Sequence, residues 1–348
     1  MIRNNLVFIV TDKCNARCEI CGYFCAPDRK NVIDEHVMLD TIDQAASVQG
    51  VERISFSGGE PSLFPELIIK GAEQARKHNL EVILVSNGQW GRWPTTQLTE
   101  FFEALKPDRI HFSMDAFHRQ YVDDKTFGRA VAFSYAMGVE SHVCINQMRL
   151  GLSGQDFWNN MGAYKHLIRY YCYNVVPFGR AKQFPPTDFY ESRRTERCRC
   201  AHGSNLAVVW NGIAFPCCRY EAHYSCLTLG NAKDTPLAEL LQSPVMKLVQ
   251  LLGEIGFSPL LAAAKQRDKT LPVDDFSFPC TVCNHLFRDH AFVRQYAPLI
   301  GHPVMREAVR EYLVFAEKNP TPGGHHWTQT DARQRGVIKK GHKTIAIM

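Results

Sequence analysis

The stretch Cys14-Asn15-Ala16-Arg17-Cys18-Glu19-Ile20-Cys21 follows, after Asp12-Lys13, the apolar run Leu6-Val7-Phe8-Ile9-Val10-Thr11. The run has the length and composition of a buried strand, and the three cysteines share the loop after it. The chain holds 13 cysteines in 348 residues, so three at these fixed offsets arise by chance roughly 0.02 times along it. Three thiolates on one loop can hold three irons of a cubane cluster, and the fourth iron of such a cluster is then left without a protein ligand.

Outward from this loop, short apolar runs alternate with longer mixed segments up to about residue 180, the rhythm of β/α units around a parallel sheet. Strands are expected at 6–11, 53–57, 81–86, 109–114, 141–146 and 173–177, with helices among those between them at 63–78 and 96–105. Six such units predict an α/β fold, a partial (β/α)6 TIM-like barrel, and not an eightfold one. Polar and glycine-rich residues gather after the strands: Ser57-Gly58-Gly59-Glu60-Pro61, Ser86-Asn87-Gly88, Ser113-Met114-Asp115 and Pro177-Phe178-Gly179-Arg180-Ala181. Strand C-termini form the site in parallel α/β architectures, so these loops should converge on one ligand.

Past Ala181 the pattern changes. Pro185-Pro186 breaks it, and cysteines follow at 198, 200, 217, 218 and 226 around a hairpin pattern turning at Asn211-Gly212. Helices are expected at 236–252 and 258–267, then Cys280-Thr281-Val282-Cys283, then a helix over 290–317 and a basic tail. The domains expected are 1–182, the barrel; 183–290, a small cysteine-rich iron–sulfur domain; and 291–348, a helix and tail.

Forty Lys and Arg against 35 Asp and Glu leave a net charge of +5, too mild to argue for a nucleic-acid partner. The N-terminal apolar run is too short for a secretory signal, and no 18 apolar residues run uninterrupted, so no membrane partner and a cytoplasmic location are expected. In a reducing compartment clustered cysteines favour metal or catalysis over disulfides.

The first cysteine array and the loops beside it resemble the radical S-adenosylmethionine (SAM) superfamily, over residues 5 to about 181. Ile20 fills the apolar position of CxxxCxφC, and Gly58-Gly59-Glu60 looks like the family's GGE segment, where the SAM amino group is held. Close backbone approach would account for the glycines there, and charge for Glu60. Ser86 and Asn87 look like the third-strand segment, Ser113 and Asp115 like the fourth-strand ribose or substrate segment, and Asn146 like a fifth-strand polar contact. The stretch containing Pro177 looks like the border of the adenine. The resemblance implies a [4Fe-4S] cluster on Cys14, Cys18 and Cys21 whose open iron binds SAM. One electron, from a flavodoxin- or ferredoxin-type donor, then splits SAM to a 5′-deoxyadenosyl radical, which takes a hydrogen atom from the substrate.

The later cysteines resemble the C-terminal SPASM or twitch extensions of the same superfamily, which carry auxiliary [4Fe-4S] clusters. Cys200, Cys217, Cys280 and Cys283 are the expected ligands, with Cys198 and Cys218 as substitutes. No cysteine follows Cys283, which favours one auxiliary cluster, although a four-thiolate zinc site uses the same ligand chemistry. Of the remaining thiols, Cys144 and Cys172 read as buried small hydrophobes and Cys25 has no assigned role. Cys226 is a candidate hydrogen-atom donor to a substrate radical. Asp115, His118 and Arg119 are candidates for binding or deprotonating a substrate at the site mouth, the alternative being a solvated helix start. The tail's Arg333, Arg335, Lys339, Lys340 and Lys343 read as a solvated terminus, and His325-His326 lacks a third metal ligand.

Three functions remain open on the sequence. The first is a radical SAM enzyme acting on a natural-product precursor of sugar, aminocyclitol or nucleoside type, by dehydrogenation, epimerisation, elimination or decarboxylation. The second is a maturase that crosslinks or epimerises a ribosomally made peptide. The third is a zinc-stabilised binding protein without catalysis. The cluster motif begins as early as Cys14, so a small molecule is expected ahead of a peptide.

Overall fold

In the computed structural model, which describes residues 4–151, 153–190, 199–200, 205–271 and 279–319, nine strands form one sheet. Six parallel strands come first: β1 (Asn4–Thr11), β2 (Val51–Gly58), β3 (Glu81–Ser86), β4 (Arg109–Ser113), β5 (Glu140–Gln147) and β6 (Arg169–Asn174). The helices α1 (Glu35–Ala46), α2 (Pro65–Lys77), α3 (Thr95–Leu105), α4 (Asp124–Ala136) and α5 (Gly154–Asn159) lie between them. This is the partial barrel expected.

Local chemistry sets these elements. Asp34 and Asp123 cap α1 and α4, each carboxylate accepting from the backbone N–H three residues on, at 3.2 and 2.8 Å. On α2, Pro65 sits in the first turn and Ile68, Gly71, Ala72 and Ala75 are buried at helical spacing. Gly71 is needed there, because a Cβ would stand 2.7 Å from the Phe56 ring. From Leu6 to Val10 strand β1 is apolar since both faces are covered: Leu6, Phe8 and Val10 pack toward the helices, Val7 and Ile9 toward the later hairpin.

That hairpin joins the barrel sheet. β7 (Ala207–Val209) pairs parallel with β1, and β8 (Ile213–Phe215) and β9 (Gly230–Asn231) extend it antiparallel, so the strand order is β6-β5-β4-β3-β2-β1-β7-β8-β9. Helices α6 (Leu237–Leu241), α7 (Pro244–Glu254), α8 (Ser258–Arg267), α9 (Pro279–Leu286), α10 (His290–Tyr296) and α11 (Pro303–Lys318) follow. α7 packs on α11 and α8 on α10, and their buried residues merge with the barrel's outer layer in one core.

Three expectations are corrected. The helix over 236–252 is two, because Ser243 caps a new helix whose first residue is Pro244. Pro298, Gly301 and Pro303 likewise divide 290–317 into α10 and α11. The sixth strand lies four residues early, where Arg169–Asn174 pair with β5. Val175 and Val176, just past its end, are buried beside the site. Among the described residues no single helix is long and apolar enough to cross a membrane.

Phe56 is fully buried and stacks on Phe8 with ring centroids 6.3 Å apart, between the sheet and α2. Phe56→Ala is expected to lower unfolding free energy by about 3–5 kcal/mol, measured by urea denaturation, and a loss below about 1 kcal/mol would contradict this packing.

Candidate active site

The loop after β1 is closed on itself by backbone and one buried carboxylate. Cys14 N–H donates to Ala26 O at 3.1 Å and Ala26 N–H to Asp12 O at 3.2 Å. Asp12 accepts from the Asn31 backbone N–H at 3.0 Å and from its amide at 2.6 Å. Cys14, Cys18 and Cys21 all line one cavity of about 200 Å³, whose other walls include Gly58, Gly59, Ser86, Asn87, Ser113, His118 and Asn146. Each comes from a loop or from the last two residues of a strand, at the strand C-termini, as that architecture requires.

Cys25, which the sequence left without a role, is a fourth thiol at this cavity. Its backbone N–H donates to Cys21 Sγ at 3.4 Å, and its thiol hydrogen-bonds Cys21 as well. That bond, aided by the Arg180 charge, draws Cys21 toward thiolate in spite of its burial. Burial and then the nearby Glu60 push Cys14 the other way.

The two glycines are required by contact. Gly58 has φ +128°, and a Cβ on it would meet Thr11 O at 2.6 Å; a Cβ on Gly59 would meet Lys13 O at 2.0 Å. Gly59 N–H donates to Thr11 O at 2.7 Å and Glu60 N–H to Lys13 O at 2.9 Å. The β2 loop is therefore laced by its backbone to the cysteine loop.

The role expected of Glu60 is corrected: its charge does not face the cavity. Glu60 is fully buried, and its carboxylate accepts from Ser62 N–H at 3.1 Å, Ser86 Oγ at 2.9 Å and Asn87 N–H at 2.8 Å. Burial raises its pKa while these bonds resist the rise. Glu60 is thus a post that ties the β3 loop to the β2 loop. Asn87, held by it, donates to Asn15 Oδ1 at 2.8 Å, back on the cysteine loop.

Asp115 is a second such post, not a group at the mouth. It is fully buried and accepts from Phe117 N–H at 2.9 Å, His118 Nδ1 at 2.8 Å, Asn146 N–H at 3.1 Å and Asn146 Nδ2 at 2.9 Å. The cavity wall carries its two partners, His118 and Asn146. Burial opposes charge on His118, yet Asp115 and Cys18 outweigh it and hold its pKa above the usual imidazole range. Arg119 pairs with Asp124 on the surface.

On the far side Gly179, with φ +57°, presses on the cysteine loop, where a Cβ would meet Cys21 O at 2.4 Å. Arg180 donates from its backbone to Cys21 O, and from its guanidinium to Cys18 O at 3.1 Å and to Cys25 O. Sequence reading placed this stretch at the site but missed Arg180 as the clamp. Val175, not Pro177, reaches the cavity wall, and Tyr220 from the C-terminal region joins it.

A second cavity is lined by Cys200, Cys217, Cys280 and Cys283, the four expected ligands, among Pro216, Leu227, Val249, Leu252 and Phe257. Cys200 and Cys217 flank the hairpin, and Cys280 and Cys283 lie one turn apart on α9. Cys218 hydrogen-bonds Cys217 and packs with the hairpin's apolar residues. Cys198 lies outside the described residues, as do the basic tail and His325-His326.

Comparison with known proteins places a family on each of the two regions. Residues 8–134 match the model of the radical SAM superfamily, and residues 198–273 that of SPASM, an iron–sulfur cluster-binding domain. The chain is a radical SAM enzyme with a SPASM domain. It shares 22% identity over 312 residues with the putative peptide biosynthesis protein YydG of Bacillus subtilis, covering 85% of this chain and 96% of that one. Its fold is similar to that of anSMEcpe with bound AdoMet and Cp18Cys peptide (TM-score 0.52, 16% identity, 84% of this chain and 97% of that one). It is likewise similar to Streptococcus suis SuiB bound to precursor peptide SuiA (TM-score 0.52, 12% identity, 73% and 67%).

The cofactors are those of a radical SAM enzyme: a [4Fe-4S] cluster with SAM, and an auxiliary iron–sulfur cluster. The donor sets fit them: Cys14, Cys18 and Cys21, with Cys25 beside them, share a wall with polar strand ends, and Cys200, Cys217, Cys280 and Cys283 share a largely apolar hole that Arg219 also lines. When bound, the cluster and SAM supply the one-electron cleavage that starts the chemistry. Cys226 stands apart: its Sγ is 2.9 Å from the Tyr312 hydroxyl in the helical core, and it lines neither cavity. Cys172, expected to be buried, is exposed on β6, and Cys144 is half-buried on the inner face of β5.

Gly59→Ala is expected to raise the SAM Kd at least about tenfold, measured by equilibrium dialysis after anaerobic reconstitution, because the clash is with backbone. Gly301→Ala, where a Cβ meets nothing within 4 Å, should leave it unchanged. Unchanged affinity in Gly59→Ala would remove the laced-loop account.

Proposed function

We propose that this radical SAM enzyme modifies a ribosomally made precursor peptide. The observation that carries the reading is an open trough inside the barrel. Parallel strands are ordinarily covered on both faces, and barrel interiors are filled by branched apolar side chains. Here the inner face of β4, β5 and β6 carries His111, His142, Cys144, Tyr171 and Tyr173, all partly or fully accessible. Tyr171 and Tyr173 are 49% and 42% exposed. The ring of His142 lies 3.9 Å from that of His111 and 5.0 Å from that of Tyr171, a row two residues below Ser113 and four below Asn146 on the cavity wall.

The row ends at β6, the edge of the sheet. An edge strand offers unpaired backbone groups, and an extended peptide can add to it while its side chains enter pockets. Burial, then the neighbouring His142, Arg109 and Arg53, lower His111's pKa to about 3, and burial also lowers that of His142, so both rings face the trough neutral. An aromatic-lined trough with neutral imidazoles suits a peptide segment of apolar side chains.

The relatives support a peptide over the sugar, aminocyclitol or nucleoside precursor expected first. The relative matched along nearly its whole length is named for peptide biosynthesis, and two similar structures hold peptides. Crosslinking and epimerisation both begin with hydrogen abstraction from a peptide carbon. The electron comes from a flavodoxin- or ferredoxin-type donor, consistent with a cytoplasmic location.

Reconstituted enzyme with SAM and a strong reductant should form 5′-deoxyadenosine faster when its precursor peptide is added. The peptide should lose two hydrogens or take up one deuteron from heavy water, read by mass spectrometry. Tyr171→Ala and Tyr173→Ala should each raise the peptide KM about tenfold and leave peptide-free SAM cleavage unchanged. Stimulation by sugars or nucleosides and by no peptide would overturn the reading.

A further inference from the structure

We infer that SAM binding depends on the auxiliary site being loaded, and that the turn Tyr220–Tyr224 carries the dependence through the ring of Tyr220. The inference rests on the two cluster sites and not on the nature of the substrate.

The turn belongs to both cavities. Cys217, Arg219 and Ala222 line the auxiliary cavity, and Tyr220 lines the SAM cavity. Its ring lies flat against Gly22, the neighbour of Cys21, so closely that a Cβ on Gly22 would stand 2.4 Å from two ring carbons. The Tyr224 hydroxyl donates to Gly22 O, and the Tyr23 hydroxyl donates in return to Cys218 O at 3.3 Å. Tyr23 also packs on the His223 ring at 5.2 Å, and His223 stacks on Phe215 at 4.2 Å. The cysteine loop of the first cluster thus rests directly on the segment that follows a ligand of the second.

The auxiliary thiols come from three separate segments: Cys200, the hairpin end at Cys217, and α9. α9 packs on the turn's other side, and Phe287 O just after it accepts from Cys226 N–H at 2.8 Å. A cluster on those thiols ties the three segments together around the turn and fixes where Tyr220 stands. Without that tie the turn is held by its packing and by the Tyr224 and Tyr23 hydrogen bonds, and the fraction of molecules with Tyr220 on the cavity wall falls. Apparent SAM affinity falls with that fraction.

The test uses full-length protein reconstituted anaerobically, with iron counted and SAM affinity measured by equilibrium dialysis. Cys280→Ala/Cys283→Ala should retain about four irons of about eight and bind SAM about tenfold more weakly, a typical size for coupled sites. Tyr220→Ala should keep both clusters and show a similar loss, and Tyr220→Phe should restore affinity because the ring makes the contact. The triple variant should bind no more weakly than the weaker of its two parents. Losses that multiply in the triple variant would overturn the proposal. So would wild-type affinity in Tyr220→Ala, a result that stands even if the double cysteine variant fails to take up its first cluster.

Discussion

The backbone of Gly58 and Gly59 lies against the carbonyls of Thr11 and Lys13, and the rest of the site is arranged around that contact. Two N–H groups of the β2 loop are spent on the cysteine loop, which fixes three thiols relative to the strand ends. Only a residue without a Cβ permits the approach at either position. From the opposite side Gly179 and Arg180 hold the same loop by its carbonyls at Cys18, Cys21 and Cys25. The loop that must present thiols to a cluster therefore has its own polar backbone satisfied by neighbours.

Two buried carboxylates do the equivalent work for the remaining loops. Glu60 gathers Ser62, Ser86 and Asn87, and Asp115 gathers Phe117, His118 and Asn146. A carboxylate removed from water is tolerated where several donors meet it, and a charge so engaged orients its neighbours and is not offered to a ligand. Beside the cysteine thiols, the polar groups lining the cavity include Ser86, Asn87, Ser113 and Asn146, and His118 there carries a charge-stabilising partner in Asp115. Orientation and exclusion of water are what a protein contributes where cofactors supply the difficult step.

Much of this was legible in the sequence because the signals were local. The spacing of Cys14, Cys18 and Cys21, the glycine pair after the second strand, and the four later cysteines all stand where they were expected to converge. What was not legible depends on tertiary contact. A glutamate beside two glycines reads as a charge for a ligand, and only the packed loops reveal that Ser86 and Asn87 claim it first. Arg180, Cys25 and Tyr220 are distant from the motif in sequence or outside its spacing, so nothing local marks them. The break at Ser243-Pro244 was readable in principle from cap and proline chemistry, but the apolar periodicity ran straight through it. Cys226 misled for the opposite reason: a polar flanking sequence hides a thiol that faces Tyr312 in the core.

The central claim is that the three-cysteine loop, braced by Gly58-Gly59 and Arg180, holds an iron–sulfur cluster open to SAM. Its most direct measurement is 5′-deoxyadenosine formed from SAM by the anaerobically reconstituted protein under a strong reductant, beside the Cys14→Ala/Cys18→Ala/Cys21→Ala variant. The account predicts cleavage in the native chain and none above background in the variant, which should still take up iron at its second site. Cleavage retained by the variant, or absent from the native chain once it holds about eight irons, would contradict it.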